Sequence, residues 1–304
     1  MPTGVVLNPD RTADNIVDNA ISQAKAAFAA GVRQVWLAQR FDFDSIALAG
    51  LVGAAVPGLG VGTSVVPINP RHPLILAAAA QTAQAASHGN FSLGLGLGAP
   101  VVESQAFGIS PGKQIRRLRE YLTVLRSVFY DGTADFHGEE VTANPEWPVD
   151  VPGGAPLPVY VAAMGPQALK VTGELADGTL PYLAGPRTIG EFIVPTITKA
   201  ATDAGRPQPR VFAMVPVVID DDADAARALA AQELAFYATV PSYQAVIERE
   251  GVSGVAELAL VGTADTVSRQ LLAYRDAGAT DIVLSTLRTE QAELEAIWGI
   301  AAGL

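Results

Sequence analysis

Short apolar runs alternate with segments of helical period along the whole chain. Gly4 to Asn8 reads as a strand. Asp10 to Asp14 supplies helix-start residues. Ile16, Ala20, Ala24, Ala27 and Phe28 then recur at helical spacing up to Gly31. Further strands are predicted at Gln34–Ala38, Leu59–Val66 and Phe91–Gly96, with helices at Phe43–Ala55 and Pro73–Ser87. Ile115, Leu118, Leu122, Leu125 and Phe129 mark the next helix, and Asp135–Thr142 reads as a small hairpin. A Pro/Gly-rich connector from Val149 leads to a strand at Val159–Ala162. Strands at Gly178–Leu183, Arg210–Ile219 and Thr280–Ser285 complete the set. Between and after them, helices are predicted at Pro166–Leu175, Ile189–Ala204, Asp222 to about Arg249, Thr263–Gly278 and Glu290–Ala301.

Strict strand–helix alternation implies a parallel sheet, and eight such units over this length favour a closed (β/α)₈ TIM barrel. The predicted barrel is a single domain, 1–304, with a small hairpin insertion before strand five and a long insertion after strand seven. The competing open doubly wound sheet wants a phosphate-binding turn after strand one, and Leu7-Asn-Pro-Asp-Arg is not one. In a barrel, chemistry gathers at the C-terminal strand ends. Trp36, at the end of strand two, is therefore expected near the pocket.

The stretch Pro158–Gln167 (PVYVAAMGPQ) places a buried strand, a turn of small residues and a helix with proline at its first position in sequence. Such a junction aims unpaired N–H groups at whatever lies above the strand, and small side chains let a flat ring or a phosphate approach. An ordinary tight strand–helix turn fits the same residues. Gly94-Leu-Gly-Leu-Gly98 lacks dinucleotide spacing. Its alternating glycines predict that a neighbouring strand or a ligand packs on the bare face.

Titratable groups are sparse at the predicted mouth. His72, His88 and His137 have no metal-ligand spacing, and His88 reads as a helix cap. His72 follows strand three on the functional face, which makes it a candidate ligand contact. Asp220–Asp224 reads as a solvated helix start, without the glycine and glutamate of a calcium loop. There is no Gly-x-Ser-x-Gly, and Glu103 is a lone carboxylate. An enzyme with such a face would leave the chemistry to a cofactor.

Composition narrows the classes further. A net charge of −11 without a basic tract argues against nucleic acid and anionic membranes as partners. The absence of cysteine excludes disulfides and thiolate metal sites. The N-terminus has no signal-peptide pattern, and the apolar runs are too short to span a bilayer, so a cytoplasmic protein is expected.

Four segments together resemble the luciferase-like flavin and deazaflavin oxidoreductases, a barrel superfamily. They are Val35–Arg40 (VWLAQR), Gly62–Pro67 with Arg71-His-Pro73, Leu93–Ala99 followed by Ala106-Phe-Gly108 and Arg116–Glu120, and Tyr160–Pro166 with Gly173–Gly178. The Ala-Ala-Met-Gly-Pro turn is similar to the branch that uses the deazaflavin coenzyme F420. The resemblance implies that Ala162, Ala163, Met164, Gly165 and Pro166 lie along the ribityl-phosphate arm. It also implies that Leu97, Gly98 and Ala99 contact the cofactor, that Gln39 stands beside it, and that Ser64–Val65 is a non-proline cis peptide behind the ring.

Three positions depart from the glucose-6-phosphate dehydrogenase branch. Gln39-Arg40 replaces Asp-His, and Ala99 replaces glutamate. The acid/base pair of that branch is missing, so a reductase of a small organic acceptor is expected instead, with Arg40 and His72 as the candidates for polarising the acceptor. The alternatives are an FMN-dependent luciferase-like monooxygenase and a non-catalytic flavin-binding protein. The resemblance implies a homodimer with a small-molecule substrate, and the histidine spacing and absence of cysteine predict no metal.

Overall fold

The computed structural model describes residues 2–110, 112–154 and 156–304. Eight parallel strands close a barrel: β1 (Thr3–Val6), β2 (Gln34–Leu37), β3 (Gly60–Thr63), β4 (Phe91–Gly96), β5 (Val159–Val161), β6 (Gly178–Thr179), β7 (Arg210–Ile219) and β8 (Asp281–Thr286). Each pairs with the next in chain order, and β8 pairs back with β1, Thr3 opposite Ile282. Helices α1 (Ile16–Ala29), α2 (Ser45–Ala55) and α3 (Pro73–Ala86) cover the first strands. They are followed by α4 (Pro100–Phe107), α5 (Gln114–Arg126), α6 (Pro166–Leu175) and α7 (Val194–Asp203). The last are α8 (Ala223–Glu233), α9 (Pro241–Glu250), α10 (Ala264–Asp276) and α11 (Gln291–Gly303). Among the described residues no helix is long and apolar enough to cross a membrane.

The barrel interior is filled from below by aromatic rings. Trp36, Tyr160 and Phe212 are buried, with Trp36 and Tyr160 centroids at 5.1 and 4.6 Å from Phe212. Room for the indole comes from a bare position on β3: a Cβ on Gly62 would lie 2.6 Å from Trp36 Cε3. The glycines of β4 have the same logic. A Cβ on Gly94 would meet the Thr63 carbonyl oxygen at 1.8 Å, so β3 packs on that bare face. Thr63 Oγ1 fixes the approach, donating to Gly94 O and accepting from Gly94 N–H, both at 2.9 Å. At the barrel's lower end Arg210 donates to the buried Asp281 carboxylate, with Nε at 3.0 Å.

Several predicted elements are divided in the structure. The third strand stops at Thr63, passes the Ser64–Val65 cis peptide and resumes as Val66–Pro67, which pairs with Leu95 and Gly96. The sixth strand is short, and beyond it only Tyr182 bridges to Met214. The segment predicted as one helix from Asp222 to about Arg249 is two, α8 and α9, joined by a tight turn at Tyr237–Thr239. Pro241 explains the restart, since proline is favoured at a first helical position and not inside a helix. The insertion after β7 then returns as Leu260–Gly262, a strand that sequence periodicity did not suggest and that pairs with the top of β7. The hairpin forms as Phe136–His137 against Thr142–Ala143.

That extra strand positions the site. β7 is longer than β6. Its lower end pairs with β6 at Arg210 and Val211 and its upper end with Leu260–Gly262, while β8 pairs with it from Phe212 to Val217. The sheet therefore parts between β6 and β7 at the C-terminal end, and the insertion lines the gap.

Candidate active site

A cavity of about 410 Å³ opens at the C-terminal mouth of the barrel. One side is formed by Val6, Asn8, Ala38, Ser64, Val65 and Ala162, from the ends of β1, β2, β3 and β5. The other is formed by Tyr182, Met214, Ser285 and Thr286 from the ends of β6, β7 and β8, with Tyr237 and Tyr243 from the insertion. Its floor rests on the aromatic cluster: Val6, Val65, Ala162 and Tyr182 pack on Trp36, Tyr160 and Phe212. Trp36 thus lies directly beneath the cavity.

Among the described residues no charged side chain lines this cavity. Ser64 Oγ and Ser285 Oγ are both buried and find no hydrogen-bond partner among the described residues. The tyrosines contact one another edge to face, Tyr237 with its centroid 5.2 Å from Tyr182 and 4.9 Å from Tyr243. Burial pushes all three phenols above the ordinary tyrosine range, Tyr182 and Tyr243 well above it. Neighbouring phenols add to the shift at Tyr182 and Tyr243, while the Ser285 hydroxyl offsets a little of it at Tyr182. All three remain neutral donors through the physiological range.

The structure separates the residues that sequence reasoning grouped together. Ser64, Val65 and Ala162 line the cavity, and the peptide between Ser64 and Val65 is cis. Ala163 is fully buried beneath the turn, its N–H donating to Val161 O at 2.8 Å. Met164 packs against the insertion, on the cluster of Leu183, Leu234 and Val246. Gly165 precedes α6, which has no side-chain cap, and a Cβ added to Gly165 would meet nothing within 4 Å. Leu169 N–H reaches Gly165 O at 2.9 Å, so the earlier N–H groups of Gln167 and Ala168 face an open approach. Pro166 sits at the outer edge, bordering a groove shared with Lys170 and Pro195.

Leu97, Gly98 and Ala99 form the rim above β4 and do not line the cavity. Gly98 has a φ of +81°, and its missing side chain makes room for Glu103: a Cβ there would lie 1.8 Å from Glu103 Oε1. Glu103 is buried, and its other oxygen accepts from Asn69 Nδ2. The Asn69 amide also donates to Leu97 O at 3.2 Å, so this pair holds the rim in place.

Three candidates have other partners. Gln39 donates to Arg40 O at 2.6 Å and Phe43 O at 2.7 Å, and accepts from Arg71 Nη2 at 3.0 Å. It braces the start of α2 instead of facing the cavity. Arg40 points outward to Asp42, with Nε at 3.1 Å. His72 caps α3: Nδ1 accepts from Leu74 N–H at 3.3 Å, and Nε2 lies 2.8 Å from Thr142 O on the hairpin. Both imidazole nitrogens are thus used away from the cavity, in the Nε2–H tautomer. Asp222 caps α8 as expected, accepting from Asp224 and Ala225 N–H at 3.0 Å.

Sequence reasoning marked the strand ends, Tyr182 among them, and the insertion, but not Tyr237 and Tyr243 within it. Tyr237 and Tyr243 are six residues apart, on a tight turn and on α9, a spacing with no pattern of its own. Only the return of the insertion to β7 brings them to the mouth.

Comparison with known proteins agrees with this architecture. The family model for luciferase-like monooxygenases matches residues 1–281, and the chain belongs to that family. An uncharacterized protein of Mycobacterium tuberculosis is 31% identical over 206 residues, covering 64% of this chain. The match spans 61% of the length of that relative. An F420-dependent glucose-6-phosphate dehydrogenase of Rhodococcus erythropolis is 28% identical over 264 residues, 79% of this chain and 76% of the relative. The coenzyme F420-dependent tetrahydromethanopterin reductase of Methanopyrus kandleri superposes with a TM-score of 0.81 at 23% identity, covering 98% of this chain and 97% of that one. At that identity the likeness establishes the fold.

Proposed function

We propose that this member of the luciferase-like monooxygenase family is an F420-dependent oxidoreductase, working in the cytoplasm as a reductase of a small organic acceptor. One observation carries the reading. The small-residue turn Ala162–Pro166 runs from a cavity-lining alanine to an uncapped helix start beside the open Gly165. That arrangement accommodates a flat ring at one end and a phosphate at the other. Ser64 and Val65, across the mouth, would back the ring. The Gln167 and Ala168 N–H groups would meet the phosphate. Reduced F420 would supply hydride at its C5, and a site without charged groups suits a cofactor that carries the chemistry itself. Relatives named as F420-dependent support the choice of cofactor. The family's own description favours a second reading, an FMN-dependent monooxygenase.

A competitive titration of cofactor-free protein with F420 and FMN separates the two, with Trp36 fluorescence as the signal from beneath the cavity. Tighter binding of F420 is the expected result. Preference for FMN would move the assignment to the monooxygenase, and binding of neither would remove the cofactor reading. A homodimer is proposed as well, supported by Leu51 and Ile75, exposed apolar side chains on α2 and α3, and is tested by light scattering in solution.

A further inference from the structure

A smaller cavity, of about 180 Å³, lies at the opposite end of the barrel, at the start of β2, β3 and β4. Gln34, Gly60 and Ser92 surround it, and Trp36 lines it from above. Trp36 follows Gln34 by two residues on β2, so both side chains project from the same face of the sheet. Opposite them on β3 stand two glycines: Gln34 pairs with Gly60 and Trp36 with Gly62. A Cβ on Gly60 would lie 3.3 Å from Gln34 Cγ, so the bare strand makes the room. Across the barrel the same level is taken by the Arg210–Asp281 pair.

Two buried polar atoms of its lining have no hydrogen-bond partner among the described residues, Trp36 Nε1 and Gln34 Oε1. Trp36 is only 3% exposed. Both side chains lie against one bare position on β1: a Cβ on Gly4 would be 3.1 Å from Trp36 Nε1 and 3.1 Å from Gln34 Cβ. The indole N–H can only donate, and the Gln34 carbonyl oxygen can only accept. Each costs free energy while unmatched, and a ligand that carries an acceptor beside a donor satisfies both. Asn90, a further polar side chain of the lining, spends its amide on Ser87 O at 3.0 Å. Among the described residues no charged side chain lines this cavity either, so an ion would shed its hydration there without gaining a counter-charge.

We propose that this lower cavity is a second binding site, separate from the mouth, for a small uncharged amide. The amide oxygen accepts from the Trp36 indole N–H, and the amide N–H donates to Gln34 Oε1. The rest of the molecule meets Pro158 and the bare backbone at Gly60. The volume suits a single small ring, since about 150 Å³ is enough to hold benzene. Trp36 joins the two sites: its indole lines the lower cavity, and the floor of the upper one rests on it. Nothing in the lower site depends on which cofactor the mouth takes.

The test uses the full chain and two probes with the same ring, 2-pyrrolidone and N-methyl-2-pyrrolidone, the second of which has lost the N–H. Binding is read from the Trp36 indole N–H resonance in ¹⁵N-labelled protein. The chain has three tryptophans, and the Trp36 signal is assigned by elimination with Trp147→Phe and Trp298→Phe. 2-Pyrrolidone is expected to shift that resonance saturably, with a dissociation constant in the millimolar range. N-methyl-2-pyrrolidone, and 2-pyrrolidone with Gln34→Leu, should each bind about tenfold more weakly, the loss of one hydrogen bond. Ser285→Ala, in the upper cavity, should leave the 2-pyrrolidone affinity unchanged. Should Gln34→Leu fail to fold by circular dichroism, the comparison of the two probes in the parent protein carries the test. No saturable shift at Trp36, equal affinity for the two probes, full affinity in folded Gln34→Leu, or a loss of affinity with Ser285→Ala would each overturn the proposal.

Discussion

The two ends of the barrel are built from the same eight strands and differ in almost every other respect. The lower end is packed with Trp36, Tyr160 and Phe212, and its buried carboxylate, Asp281, is matched by Arg210. The upper end is hollow, has no charged side chain among the described residues lining its cavity, and leaves Ser64 and Ser285 hydroxyls unpartnered. The division follows from β7. Where β7 pairs with β6 the barrel is closed and filled, and where it turns to Leu260–Gly262 the barrel opens. Stability and recognition are thus separated along one axis, which allows each to be perturbed alone.

The comparison is broken most severely from below. Trp36→Ala removes the central ring of the floor and should cost about 3–5 kcal/mol in chemical denaturation. Tyr237→Phe at the mouth should stay within about 0.5 kcal/mol of the parent. Similar losses from the two would mean that floor and mouth are not separable.

The next effect is on cofactor affinity. Gly165→Glu places a carboxylate where the proposed phosphate meets α6, and the open space at Gly165 lets the fold tolerate it. F420 affinity should fall by roughly tenfold or more at unchanged melting temperature. Undiminished affinity would place the phosphate elsewhere.

His72→Ala sharpens the boundary between site and scaffold. Loss of the cap and of the contact with Thr142 should lower stability by about 1 kcal/mol and leave the hydride-transfer rate of the folded protein unchanged. A large rate loss would return His72 to the acceptor. The smallest effect is a pH dependence. Burial would raise the Asp44 carboxyl, but the Ala47 N–H, the Arg71 guanidinium and the Ile46 N–H outweigh it and hold it below the usual carboxylate range. With the folded value lowered, its stabilising contribution is present above the ordinary carboxylate pKa and fades as pH falls through the lowered one. Asp44→Asn keeps the cap and removes the charge. Its stability should therefore decline less on acidification across that window, as read from urea midpoints at a series of pH values.

Much of this was legible in the chain. Alternating apolar runs and helical periods are local signals, and they specified the eight strands in their order. The turn at Ala162–Pro166 was visible because proline and glycine mark backbone geometry directly. His72 was misplaced by the same reading. Its position after strand three put it at the mouth, but the Leu74 N–H and the Thr142 carbonyl claim both ring nitrogens. Gln39 is a parallel case: it follows β2, yet Phe43 and Arg71 turn its amide toward α2. Strand ends can be counted from sequence, but the direction of a side chain depends on which partners surround it.

The sequence by itself determined the barrel, the order of its strands and the poverty of charge at its mouth, because periodicity and residue type are properties of the chain alone. The tertiary structure decided where the opening lies and what lines it. The long insertion returns as Leu260–Gly262 to the top of β7, and that single pairing carries Tyr237 and Tyr243 over the cavity to face Tyr182 and Ser285. No local pattern records it, since strand pairing across a long connection is set by burial and by hydrogen bonds that form only when the whole barrel closes.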